Sequence, residues 1–101
     1  MNTMRKTDEF LRWIDGLTDS IARASVIRRI QRAESGNFGD HHYLEDGISE
    51  MRIDHGPGYR LYYAQDGVTV YLLLAGGDKR AQSRDIERAK NIWKAYKEGK
   101  K

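Results

Sequence analysis

Arg52, Arg60, Lys79 and Arg80 are cations drawn from separate stretches of the chain, and Tyr62, Tyr71 and Gln82 lie among them in sequence. Guanidinium groups meet phosphate oxygens with paired N–H donors, and phenol rings give exposed bases a surface to stack on. The mixture therefore fits single-stranded nucleic acid. His55 falls in a turn between two of these stretches. Imidazole ordinarily titrates near neutrality and suits proton transfer, although a lone turn histidine is more often a structural residue. The same residue types also describe a plain solvated sheet face, on which Glu50 and Asp54 would pair with the arginines across strands.

Other chemistries find little support. The chain has no cysteine, G-x-S-x-G elbow, P-loop or H-E-x-x-H pair. His41 and His42 are adjacent, and neighbouring strand residues point to opposite faces, so they are poorly placed to share an ion. No metal or cofactor is expected.

The elements that must position the cations can be read along the chain. Its 101 residues suit one domain, residues 1–101, with a single core. In "TDEFLRWIDGL", Phe10, Trp13, Ile14 and Leu17 recur at helical spacing, with Thr7 as N-cap and Gly16 as stop. A second helix is expected from about Asp19 to Ser35, with Ala22, Val26, Ile27, Ile30 and Ala33 on one stripe and Arg28, Arg29 and Arg32 on a solvated face. From His41 to Ala75 the period changes from helical to alternating. "HHYLED", "ISEMRID", "GYRLYYA" and "VTVYLLLA" are strand candidates, parted by Gly47, by His55-Gly56-Pro57 and by Asp66-Gly67. A closing helix follows, with Ile86, Ala89, Trp93 and Tyr96 in register.

The expected fold class is α+β: an N-terminal helix pair packed on an antiparallel β-meander, with a C-terminal helix. A two-residue Asp66-Gly67 turn pairs Tyr63 with Val70, Leu61 with Leu72 and Tyr59 with Leu74, all facing the helices. Arg52, Arg60, Tyr62 and Tyr71 then share the face without helices, and Arg60 approaches the "AGGDKRAQ" loop that carries Lys79, Arg80 and Gln82.

Composition narrows the setting. From Gly76 to the end there are nine Lys/Arg against four Asp/Glu, whereas residues 41–75 carry two basic and five acidic side chains. The basic surplus is therefore C-terminal, which favours a polyanion or simply makes a soluble helix. The longest apolar run falls far short of the roughly 20 residues of a spanning helix, and the N-terminus has no secretory pattern. A cytoplasmic location is expected.

"FLRWIDGL", "ARASVIRRIQR", "GNFGD", "SEMRI", "GPGYR" and "GGDK", in that order over nearly the whole chain, resemble the RelE/ParE superfamily of toxins from bacterial toxin-antitoxin modules. The similarity is greatest to the HigB-like, phage-related branch of addiction module killer proteins. That resemblance implies a RelE-like fold and a metal-independent endoribonuclease, an mRNA interferase that cuts messenger RNA on the 70S ribosome and inhibits translation. It implies a cognate helix-turn-helix antitoxin, contact with operator DNA only through the antitoxin complex, and no membrane partner. By position Arg52, Arg60 and Arg80, with Lys79 adjacent, match the basic residues that bind and polarise the RNA. Tyr62, Tyr71, Gln82, Arg84 and His55 would contact it. Ile86 stands where some relatives carry a tyrosine, and the C-terminal Asp/His cluster of others is absent, so the general base is unassigned. Two alternatives stay open: a ParE-like non-catalytic inhibitor of DNA gyrase, and a binding subunit acting mainly as corepressor with the antitoxin.

Overall fold

Thr7 ends a strand and begins a helix. In the computed structural model, which describes residues 1–99, the chain opens with β1 (Thr3–Lys6). The Thr7 hydroxyl then accepts the Phe10 N–H at 3.1 Å and donates to the Leu74 carbonyl at 2.8 Å. It thus caps α1 (Asp8–Asp15) and pins it to the sheet. Asp19 caps α2 (Ser20–Glu34), accepting the N–H groups of Ile21 and Ala22. Strands β2 (His41–Glu45), β3 (Ile48–Ile53), β4 (Tyr59–Gln65) and β5 (Val70–Asp78) follow. A single 3₁₀ turn (Lys79–Ala81) then leads into α3 (Gln82–Gly99).

The fold is α+β, with a five-stranded mixed sheet in the order β1-β5-β4-β3-β2. Two features depart from the expected meander. β1 adds an edge strand parallel to β5, with Thr3 opposite Val70 and Lys6 opposite Leu73. "TMRK" holds one apolar residue, Met4, and is fixed by its pairing and by Asn2, whose N–H and side-chain amide reach the carbonyls of Glu34 and Ala33 at the end of α2. No local pattern could announce it. The helices, moreover, are not confined to one face: α1 and α2 cover one side, and α3 packs on the other through Ala89 and Trp93.

A further departure lies in the register. Gln65 pairs with Tyr71, Ala64 with Leu72 and Tyr63 with Leu73, so the turn is longer than two residues and is closed by Asp66 N–H to Val70 C=O at 2.7 Å. This odd shift from the expected pairing exchanges the faces of β5. Tyr71 and Leu73 join the helix-pair side with Tyr59, Leu61 and Tyr63, while Leu72 and Leu74 turn towards α3. A run apolar on both faces is what a doubly covered strand requires, and that run also hides its register. Leu74 is an extra residue between the Tyr63–Leu73 and Tyr62–Ala75 pairs, a bulge after which Leu61 faces Gly76, Arg60 faces Gly77 and Tyr59 faces Asp78.

The solvated arginine face of α2 also needs correction. Arg29 is half-buried and donates to the carbonyls of Arg52, of Phe38 at 2.9 Å and of Asp40 at 3.1 Å, tying the helix to the segment before β2. No helix among the described residues is long and apolar enough to cross a membrane.

Candidate nucleic-acid interface

Because β1 stops opposite Leu73 while β5 runs on to Asp78, the last residues of β5 have no strand beside them on that edge. Over this open edge lies a cleft of about 670 Å³, walled by Trp13 of α1 on one side and by Arg80, Arg84, Asp85 and Arg88 on the other. Its floor is Gly76-Gly77, and neither position tolerates a side chain. A Cβ on Gly76 would lie 2.2 Å from Trp13 Cε3, and one on Gly77 would lie 1.8 Å from Asp85 Oδ2. The "GGD" motif is therefore a packing requirement on both faces of one strand. Asp78 completes it by accepting the Ala81 N–H at 3.1 Å, which turns the chain into the 3₁₀ segment and sets the start of α3.

Lys79, Arg80 and Arg84 are exposed on this turn and first helical stretch. Arg88, one helical turn beyond Arg84, extends the row, with its side chain 40% exposed. The expected convergence of Arg52, Arg60 and the "GGDKR" loop holds at the level of the backbone, since Arg60 lies directly opposite Arg52 on one side and Gly77 on the other. The side chains differ. Arg60 does not lie on an open face: the residue is only 9% exposed, and its Nε finds no partner. Arg52 is partly exposed and donates through Nε to Glu50 Oε2 at 2.7 Å, a bond that holds its guanidinium in the charged form more firmly than usual. Glu50 is fully buried and also receives the Gln82 amide at 3.4 Å, so Gln82 closes over Glu50 rather than standing free for RNA.

Three of the expected RNA contacts are misplaced. Tyr62 is completely buried beneath α3 and cannot stack on a base. Burial, then the charges of Glu50 and Asp85, push its phenol well above the ordinary range, and its oxygen has no hydrogen-bond partner. Tyr71 lies on the opposite side of the sheet, its ring 4.9 Å from Phe38 and 6.1 Å from Tyr63, because the β5 register is odd with respect to the tight turn. His55 is held by Asp19, the cap of α2, at 3.2 Å, on the side of the helix pair.

The structure adds two residues that pattern reading passed over, Asp85 and Arg88, and buries Glu50, which was expected as an arginine partner on a solvated face. Asp85 is 2% exposed. Its Oδ1 lies 3.6 Å from Arg88 Nη1, while Oδ2, set against Gly77, has no partner. Burial pushes this carboxyl up from its ordinary value against the opposing influence of Arg88 and Arg84. Arg88 also reaches Glu9 of α1 at 3.1 Å, bridging the two helices that flank the cleft. The legible signal was the spacing: Arg84 and Arg88 are four apart, and Asp85 and Arg88 three apart, at the start of a helix beginning just after "GGD". Among the described residues no group of three or more His, Asp or Glu side chains is placed to hold a metal ion.

Such an arrangement can grip an anionic backbone by guanidinium groups along a groove. No protein-family model matches the chain. It is similar to an uncharacterized protein of Haemophilus influenzae, 42% identical over 87 residues that span 86% of this chain and 88% of the other. At that identity over most of both chains, this chain belongs to one family with the Haemophilus influenzae protein.

Proposed function

We propose that the protein is the toxin of a type II toxin-antitoxin module, with a RelE-like fold of the HigB branch, acting in the cytoplasm as a ribosome-dependent endoribonuclease on messenger RNA. The observation that supports this most is the cleft over the open end of β5, where Arg80, Arg84 and Arg88 present guanidinium groups around a carboxylate. Metal-free cleavage of RNA requires charge stabilisation on the phosphoryl oxygens, a proton acceptor for the 2′-OH and correct alignment, the last of which a ribosome can supply. Arg80, with Lys79 beside it, is the phosphate-binding pair. Arg60 acts from beneath, as a buried positive charge opposite Gly77, where low polarity strengthens its field. Arg52, anchored by Glu50, positions the RNA backbone at the rim. A helix-turn-helix antitoxin would neutralise the toxin and carry it to operator DNA.

Burial of Arg60 also favours a second hypothesis, a ParE-like protein that inhibits DNA gyrase by binding, in which this arginine is purely structural. Primer extension on translated messages after brief induction separates the two. The nuclease hypothesis expects codon-associated cuts that fall about 100-fold in Arg80→Ala and similarly in Arg60→Ala. Absence of cuts together with a DNA-damage response points to gyrase, and unimpaired growth on expressing the wild-type protein sinks both.

A further inference from the structure

Past Phe38, neither α1 nor α2 lines the helix-pair side of the sheet among the described residues, and a pocket of about 390 Å³ opens there. It lies at the other end of β5 from the cationic cleft: Tyr71 borders the pocket and Gly76 the cleft, roughly 16 Å apart at about 3.3 Å per residue. We propose that this pocket binds a nucleobase, stacked on its aromatic rings and met at the edge by Ser49 and Gln65. The inference goes beyond the nuclease hypothesis and stands without it, since holding a base requires no cleavage.

Strand register builds the pocket. Ser49 of β3 is directly opposite Tyr43 of β2 on one side and Tyr63 of β4 on the other, so all three project from one face. The small Ser49, with Gly47 at the head of β3, leaves the space that larger side chains would fill. Gly47 adopts a φ of 83° and lets Trp93 close one end, where a Cβ would lie 3.1 Å from the indole Nε1. Tyr43 stands on the β2 side, 67% exposed, with its hydroxyl accepting the Gly47 N–H at 3.1 Å. An exposed ring pinned in this way is presented rather than packed. Phe38 and Tyr71, both partly exposed, stand on the β5 side over the buried Tyr63. Tyr71 arrives here by the same register that removed it from the cations.

The lining decides the class of ligand. Among the described residues no Lys, Arg, Asp or Glu borders the pocket, so neither a phosphate nor an ammonium group would find a counter-charge. The rings of Phe38, Tyr63 and Tyr71 already touch, with centroids 4.9, 5.4 and 6.1 Å apart, and form a wall rather than a cage around a cation. An uncharged planar ring suits such a wall, and stacking of this kind accepts any base. The edge of a base needs donors and acceptors, and the pocket has both. Gln65 gives its amide nitrogen to the Val68 carbonyl at 3.1 Å, which leaves its oxygen as an acceptor. The Ser49 hydroxyl can donate or accept, and His41, with Nδ1–H spent on the Gly39 carbonyl at 2.8 Å, offers Nε2 as an acceptor. An aliphatic ligand would use none of these groups.

The test is equilibrium binding of the full chain, without ribosomes, to two probes. One is a labelled single-stranded oligoribonucleotide of mixed sequence, read by anisotropy. The other is each free nucleoside in turn, read by quenching of tryptophan fluorescence, since Trp93 borders the pocket. In the strand arm Tyr43→Ala is expected to weaken binding about tenfold, and Tyr43→Phe, which keeps the ring, to stay within about twofold of wild type. Tyr43→Ala should leave the slope of log affinity against log salt unchanged, because it removes no phosphate contact, whereas Arg80→Ala should flatten it. Dependence on Tyr43 in the strand arm assigns the pocket to a base in a strand, and dependence in the nucleoside arm alone assigns it to a free nucleoside. Tyr43→Ala within about twofold of wild type in both arms overturns the proposal, as does a wild type that binds neither probe. An equal loss in Tyr43→Phe also overturns it, because the hydroxyl on Gly47 and not the ring would then be responsible. Ser49→Leu, which fills the space and leaves every ring in place, gives a second measurement: a folded variant that binds as wild type does refutes the pocket. Neither arm reads cleavage, so failure here is distinct from failure of the nuclease hypothesis.

Discussion

The two faces of the sheet bury similar apolar side chains but treat polar ones in opposite ways. On the helix-pair side Met51, Ile53, Leu61, Tyr63 and Leu73 meet Phe10, Ile14, Val26 and Ile30, and the nearest charge, Arg29, lies at the margin with its terminal nitrogens bonded to carbonyls. On the α3 side Glu50, Arg60, Tyr62 and Asp85 are buried close to Ile48, Leu72, Leu74 and Trp93. Arg60, Tyr62 and Asp85 each keep an atom without a partner, against Arg29 Nε on the helix-pair side. Unsatisfied buried groups reduce stability by about 1–3 kcal/mol each, so the α3 face accepts the larger penalty. A penalty gathered beneath the cleft lined with Arg80, Arg84 and Arg88 is the pattern expected of a working site.

The largest effect should come from the helix-pair face. Phe10 is fully buried, and Phe10→Ala is expected to cost about 3–5 kcal/mol in urea unfolding, enough to threaten folding of so small a domain. A loss below about 1 kcal/mol would mean that this face is not the principal core. Next comes the join between the faces. Gly77→Ala drives a methyl into Asp85 Oδ2 and should cost about 1–3 kcal/mol, part of which Asp85→Ala in the same chain should restore. Strict additivity in that cycle would show that Asp85 does not rest on Gly77.

Neighbouring tyrosines give a smaller and sharper contrast. The Tyr63 phenol is pushed up to about 12 by burial, against the lowering influence of Ser49 beside it, whereas the Tyr62 oxygen is buried without a partner. Tyr63→Phe should lose about 1 kcal/mol and Tyr62→Phe should gain a comparable amount, read as opposite shifts of the urea midpoint. The same sign for both would remove the distinction between the faces.

How much of this was legible followed from how local each signal is. Thr7, Gly16 and Asp19 mark the ends of α1 and α2 by chemistry confined to a few residues, and the inward set Met51, Ile53, Tyr59, Leu61 and Tyr63 follows from simple alternation. β1 and the β5 register were not legible. "TMRK" is a strand only because β5 lies beside it, and "VYLLLA" is apolar whichever way it faces, so a longer turn and a bulge could move Tyr71 to the other side unannounced. At the site, the gathering of Arg60 with the "GGDKR" loop was readable from pairing. The burial of Arg60 and Tyr62 was not, because it depends on α3 crossing a face that alternation left open. Asp85 looked like one more acid on a charged helix until Gly77 was found beneath it.

The smallest expected effect bears most directly on the cost of the α3 face. Asp85 has its carboxyl pushed up from 3.8, so the folded protein holds this proton more tightly than the unfolded chain does. Between the unfolded and folded values the native state binds more protons, and stability therefore falls as pH rises through that window. The contribution is fully present below the ordinary carboxylate value and is lost once pH passes the raised one. Asp85→Asn, which cannot ionise, escapes the loss. Its melting temperature should match wild type under acid conditions and exceed it once pH has passed the raised value. A variant that is less stable than wild type there would show that the carboxylate strengthens the fold, and the unpartnered oxygen would then need no functional explanation.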